Sequence, residues 1–155
     1  MRKINNAYTQ IEGYNCFGCS PDNQIGLKME FYETEDGVMA QWTPTRDYEG
    51  YYNHLHGGIQ ATLLDEVGSW IVPTKLGSSG VTRTITVNYH KSVFINQGMI
   101  TIKAQLISFL DNIALVKAQI EDNEGTPRAT ATIEYFVFPE DVARKRFYFP
   151  GKEQF

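Results

Sequence analysis

The sequence predicts an α+β fold, a curved antiparallel sheet wrapped around one long helix. Three observations lead there. The order of patterns is two strands, one long apolar helix and four strands, too poor in helices for a doubly wound parallel sheet. The helix is apolar around most of its circumference, so it must be buried on most sides. Tight turn signals separate the last strands, which makes those strands antiparallel neighbours.

The first 26 residues are polar and turn-rich, with Cys16-Phe17-Gly18-Cys19-Ser20-Pro21-Asp22-Asn23 reading as a compact loop. Leu27–Glu33 and Val38–Thr43 read as strands joined at Asp36-Gly37, a hairpin signal. Pro44–Leu55 is a loop carrying Tyr48, Tyr51 and Tyr52. The helix is expected over about Gly58–Leu76. Ile59, Leu63, Leu64, Val67, Trp70 and Ile71 share one arc, and Thr62, Asp65, Glu66 and Ser69 form a narrow polar stripe. Pro73 is expected to end or kink it.

Period two then takes over. Val81–His90 alternates Val81, Arg83, Ile85, Val87 and Tyr89 against Thr82, Thr84, Thr86, Asn88 and His90. Met99–Phe109, Ile113–Asp122 and Arg128–Phe138 follow, separated by turns at Asn96-Gln97-Gly98, Asp111-Asn112 and Asn123-Glu124-Gly125. Residues 139–155 read as a tail with a basic run, Arg144-Lys145-Arg146.

With 155 residues, one domain over 1–155 is expected. A chain of this length buries ~68–70% of its unfolded surface, enough to dispense with disulfides or metals. Lys plus Arg is 14 and Asp plus Glu 18, a net charge of −4 that argues against a general nucleic-acid binder. No apolar run approaches the ~20 residues of a membrane helix. No secretory signal is visible at the start, so a cytoplasmic location and no membrane partner are expected.

The residues that carry chemistry cluster at the helix. His56-Gly57-Gly58 stands at its entrance and Asp65-Glu66 two turns in. First-turn N–H groups lack intrahelical partners and carry partial positive charge, so they can stabilise an oxyanion on a carbonyl oxygen. A carboxylate nearby can activate water or attack directly. Acyl transfer to water uses both parts. The plainer alternative is a glycine-rich loop entry and a solvated acidic stripe.

His56-Gly57-Gly58-Ile59-Gln60-Ala61-Thr62-Leu63-Leu64-Asp65-Glu66 resembles the signature of hotdog-fold acyl-CoA thioesterases of the phenylacetic-acid-degradation (PaaI-like) type. The opening Cys16–Asn23 with Gly26-Leu27 resembles one branch of them. The resemblance implies a homodimer or dimer of dimers with sites at the subunit interface. It implies acyl-CoA as substrate and no cofactor beyond the coenzyme A within it. By similarity the Gly57/Gly58 backbone, chiefly Gly58, polarises the thioester carbonyl, and Asp65 of the other subunit activates water or attacks directly, with Glu66 its rival. Thr82 assists the water and His56 positions the turn. Where relatives carry an Asn, this chain has Gly50, and where a related branch has Gln it has Glu49. Asn53 and Thr84 are the remaining polar candidates on the substrate side. A non-catalytic acyl-CoA binder on the same fold is the alternative function.

Cys16-x-x-Cys19 supplies half of a zinc site, but no second pair exists, and His54, His56 or His90 would have to complete it. The loop is therefore read as packed and no metal is expected. Arg144-Lys145-Arg146 reads as a solvated tail, with coenzyme A phosphates the other option. Tyr48, Tyr51, Tyr52 and Trp70 either wall an acyl pocket or pack the loop over the helix.

Overall fold

A computed structural model describes residues 1–155. One antiparallel sheet of seven strands carries the fold, in the order β1-β2-β3-β5-β6-β7-β4. The strands are β1 (Arg2–Lys3), β2 (Phe31–Glu33), β3 (Gly37–Trp42), β4 (Gly80–Tyr89), β5 (Ile100–Leu110), β6 (Ile113–Glu121) and β7 (Pro127–Val137). The sheet curls around α1 (Gly57–Ser69), and a short α2 (Glu140–Phe147) follows β7. This is the hotdog arrangement. No helix is long and apolar enough to cross a membrane.

The expected helix forms, but α1 stops at Ser69 and passes through a π-helical turn at Val72–Leu76. Pro73 explains the change: it has no N–H to donate and its ring crowds the preceding turn. Thr74 bonds the Trp70 carbonyl with its hydroxyl at 2.6 Å. Leu63, Leu64, Val67, Trp70 and Ile71 are buried, as the wheel requires. Trp70 is a core residue with an edge on a cavity shared with Tyr14 and Glu66. It stacks on Phe31 at 4.6 Å and meets Phe155 edge-on at 5.8 Å.

Other boundaries moved for identifiable reasons. Only Phe31–Glu33 of the expected Leu27–Glu33 pairs with β3. Leu27 and Met29 are buried but donate to the Phe17 and Gly18 carbonyls, so the opening loop takes their backbone. Gly37 serves a close approach: a Cβ there would collide with the Ala104 carbonyl oxygen of β5. Asp111 and Asn112 both have positive φ, 51° and 62°, as a two-residue hairpin turn needs. Asn96-Gln97-Gly98 joins β4 to β5, yet these strands lie far apart in the sheet and β4 pairs with β7. The tail is structured: Ala143, Phe149 and Phe155 are buried, and Arg144 is held by Glu140 and the Pro150 carbonyl. Arg144 is therefore not a free phosphate grip.

The β6–β7 turn is organised by Asp122, which sequence patterning passed over. Its Oδ1 accepts from the Glu124 and Thr126 amides at 2.9 Å each, and its Oδ2 accepts from Arg128 Nε at 2.7 Å. Both partners are largely buried. Asp122→Ala strands Arg128 and two amides, and is expected to lower unfolding free energy by about 3 kcal/mol in urea titration.

Candidate active site

Strand β4 presents its residues to α1 through a bulge. Thr82 pairs with Tyr135 and Thr84 with Glu134, so Arg83 is the extra residue. The expected alternation is broken there: Thr82 lies on the helix side with Tyr135, whereas Thr84 lies on the outer side with Glu134. Thr84 is thus carried away from the helix, against its expected place on the substrate side. Without the bulge Thr82 would share that fate.

Three groups now meet. Thr82 Oγ1 donates to Asp65 at 3.0 Å from Oδ1 and 3.2 Å from Oδ2. Tyr135 Oη lies 2.7 Å from the Asp65 carbonyl oxygen and 3.0 Å from Oδ1. Burial, with the neighbouring Asp65 charge, raises the Tyr135 pKa, so the phenol remains a donor. Tyr135 is fully buried and could not be assigned a site role from sequence, because its pattern is that of any inward strand residue. No cation neutralises Asp65. Two hydroxyls fix its orientation, and its Oδ2 has acceptor capacity to spare.

Gly68 makes room for this contact. A Cβ at Gly68 would lie 2.5 Å from Tyr135 Oη and 3.1 Å from Ile133 Cδ1. Neither neighbour can yield, since both are fully buried. Gly68→Ala is expected to destabilise the fold by about 2 kcal/mol despite its better helix propensity, and to loosen Asp65. Urea titration reads the first effect and turnover the second.

At the other end of α1, His56 caps the helix by accepting the Gly58 N–H at Nδ1, 2.9 Å. This corrects the emphasis on Gly58, whose amide is engaged. The Gly57 N–H has no intramolecular acceptor. Tyr89 Oη donates to the Gly57 carbonyl at 2.7 Å and ties the helix start to the end of β4. Gln60 is buried beside it: Nε2 donates to the Leu55 carbonyl at 3.0 Å, and Oε1 has no donor.

Glu49 and Asn53 are loop staples. Glu49 Oε2 accepts the Asn53 N–H at 3.1 Å. Asn53, in left-handed conformation at φ 64°, exchanges two bonds with Asn96, one from its amide side chain and one to it. Tyr48 packs on Trp42 and donates to the Gly26 carbonyl at 2.9 Å, while Tyr51 and Tyr52 stand in solvent.

Glu66 leaves the other side of α1 and meets the opening loop. Its Oε1 lies 3.6 Å from Cys16 Sγ and accepts from Trp70 Nε1 at 3.4 Å. Burial, then the nearby Cys16 charge, pushes its carboxyl up to about 7. Asp65 and Glu66 therefore face different surroundings, as their 100° separation on a helix implies.

The sequence profile of the thioesterase superfamily matches residues 52–129. No curated protein matches the chain. Among solved structures, a hypothetical thioesterase of Streptococcus pneumoniae with coenzyme A superposes with TM-score 0.66 at 27% identity, over 72% of this chain and 90% of that one. Variants of that protein replacing an aspartate or a threonine by alanine superpose with TM-scores 0.65 and 0.64, each at 25% identity over 70% of this chain and, respectively, 89% and 88% of those chains. A Streptococcus mutans protein bound to acetyl-CoA has TM-score 0.67 at 21% identity, over 84% of this chain and 98% of that one.

Proposed function

The chain belongs to the thioesterase superfamily, and on that premise we propose that it hydrolyses an acyl-CoA thioester to a carboxylic acid and free coenzyme A. Within the superfamily we assign it to the phenylacetic-acid-degradation type, on its His56–Glu66 segment, sharpened by its Cys16–Leu27 opening. The observation that carries the reading is the Asp65 carboxylate. It is aimed by Thr82 and Tyr135 at the unpaired edge of the sheet, on a helix whose Gly57 amide is free. The pneumococcal relative's coenzyme A supports the choice of ligand.

The proposed site draws on two copies of the chain. Gly57 and Asp65 are eight residues apart on α1, about 12 Å at 1.5 Å per residue. A base must reach its water within about 3 Å, and the attacked carbonyl is in contact with that water. That separation favours an amide and a carboxylate drawn from different copies, as the family resemblance implies. Strand β4 is the means of assembly. Its outer edge is unpaired over ten residues, and Val81, Ile85 and Tyr89 are 43%, 37% and 51% exposed. Thr82 adjoins Asp65 and Tyr89 adjoins Gly57. Isologous antiparallel pairing about Ile85 and Thr86 sets Thr82 of one copy opposite Tyr89 of the other. That brings each Asp65 towards the other chain's helix entrance. The product is a homodimer, the unit from which a dimer of dimers is built.

In this arrangement Asp65 takes a proton from water, whose oxygen attacks the thioester carbonyl carbon. Negative charge gathers on the carbonyl oxygen, which accepts the Gly57 N–H across the interface. The intermediate collapses with C–S cleavage, and the proton held by Asp65 neutralises the departing thiolate. Thr82 holds the carboxylate, and His56 fixes the turn that aims the amide.

Thiol release from a panel of acyl-CoAs tests the reading. Turnover on at least one chain length supports it; none across the panel overturns it. A second reading, an acyl-CoA binder without hydrolysis, is favoured by one observation: Glu49, where a related branch has Gln, is an acceptor tied to Asn53. Tight binding of acyl-CoA without thiol release selects that reading.

A further inference from the structure

Cys16, Cys19 and Glu66 converge beneath the opening loop, and their ligating atoms all lie within 4.8 Å of one another. The geometry points to a binding site for a thiophilic divalent cation of the zinc type, held by Cys16 Sγ, Cys19 Sγ and a Glu66 carboxylate oxygen. The sequence sought the missing half of a zinc site among the histidines. The fold supplies it from the helix, fifty residues away.

The Cys16–Glu66 edge has the length a metal site requires. With Zn–S of about 2.3 Å and Zn–O of about 2.0–2.2 Å, a tetrahedral site has S···O edges of roughly 3.5 Å. Cys16 Sγ and Glu66 Oε1 are 3.6 Å apart. The supporting hydrogen bonds are those a metal site needs. Tyr14 Oη lies 3.0 Å from Cys19 Sγ, and Trp70 Nε1 donates to Glu66 Oε1. A Cβ at Gly18 would press on the end of the Glu66 side chain, so the glycine leaves the carboxylate its place.

No lysine or arginine bonds the Glu66 carboxylate, which leaves an acidic cluster without a compensating charge. A divalent ion supplies that charge. A cavity of about 580 Å³, lined in part by Tyr14, Ser69, Ser79 and Arg146, opens onto the three groups and gives the ion a route in and its fourth position a water. The ion would tether the opening loop to α1, on the side of the helix away from Thr82. The inference does not depend on thioester hydrolysis.

The test is titration of the purified full chain with Co²⁺ under a non-thiol reductant, followed by competition with Zn²⁺. One Co²⁺ per chain with a sulfur-to-cobalt charge-transfer band is expected, displaced by Zn²⁺. Cys16→Ser and Cys19→Ser are expected to abolish the band, and Glu66→Gln to weaken binding at least tenfold. Zn²⁺ should raise the melting temperature of the native chain and leave that of Cys16→Ser unmoved. Circular dichroism establishes that each variant is folded. Absence of the band in the native chain, or unchanged affinity in folded Glu66→Gln, overturns the proposal.

Discussion

Asp65→Asn is expected to lower kcat for acyl-CoA hydrolysis by about 10²–10⁴-fold, the range spanned by loss of a general base. The substitution keeps the volume of the side chain and leaves an oxygen to accept from Thr82 and Tyr135, so the fold and the β4 edge are undisturbed. KM should change little, because the carboxylate acts on water and not on the ground-state thioester. Thr82→Val removes an orienting bond to a charged group and should cost about tenfold. Glu66→Gln is expected to lose at least tenfold less than Asp65→Asn, since Glu66 opens onto the cysteine loop. Retention of native kcat in Asp65→Asn, measured by thiol release under saturating substrate, would remove the carboxylate from the mechanism.

The choice between the two acids shows how far sequence carried. The helical wheel separates Asp65 from Glu66 by 100° and requires that only one face a given site. It does not say which, because that depends on what each side meets. The deciding element is the bulge at Arg83, which turns Thr82 onto the helix side and Thr84 off it. A bulge leaves no mark in a run that sets Thr at every second position, so strict period two puts Thr82 and Thr84 on one face. Tyr135 was invisible for a related reason. Inward aromatic residues are ordinary in strands, and only the space left by Gly68 lets this one reach Asp65.

The broad architecture was legible because it rests on burial periodicity over long segments. Leu63, Leu64, Val67 and Ile71 all reach the core they were expected to occupy. What failed were short segments whose backbone partners lie far away in sequence. Leu27 and Met29 look like strand residues and are buried like them, yet their amides go to Phe17 and Gly18. The same contact presses the cysteine loop onto Glu66, which sequence had read as loop and stripe separately. Glu49 and Asn53 stand where polar groups could meet substrate, but their side chains are engaged within the loop and by Asn96.

Gly57→Pro separates the oxyanion donor from the helix that carries it. Gly57 is the first residue of α1, the position where proline is best tolerated because its missing N–H has no intrahelical role. His56 already has φ −56° and ψ 134°, the extended conformation a residue before proline prefers. A Cβ at Gly57 meets the Tyr89 ring at 3.5 Å, ordinary contact. The variant should therefore fold and dimerise, yet lose about 10²–10³ in kcat through the missing donor. Mixing it with Asp65→Asn makes the decisive measurement. A heterodimer of the two has one composite site with both defects and one with neither. Random reassociation of equal amounts places half of the dimers in that class, so about a quarter of native activity returns from two nearly inactive parents. If amide and carboxylate acted within a single chain, every site would keep one defect and the mixture would stay as inactive as its components. Size-exclusion chromatography of each variant before mixing establishes that both are dimers, which leaves the location of the two groups as the only variable.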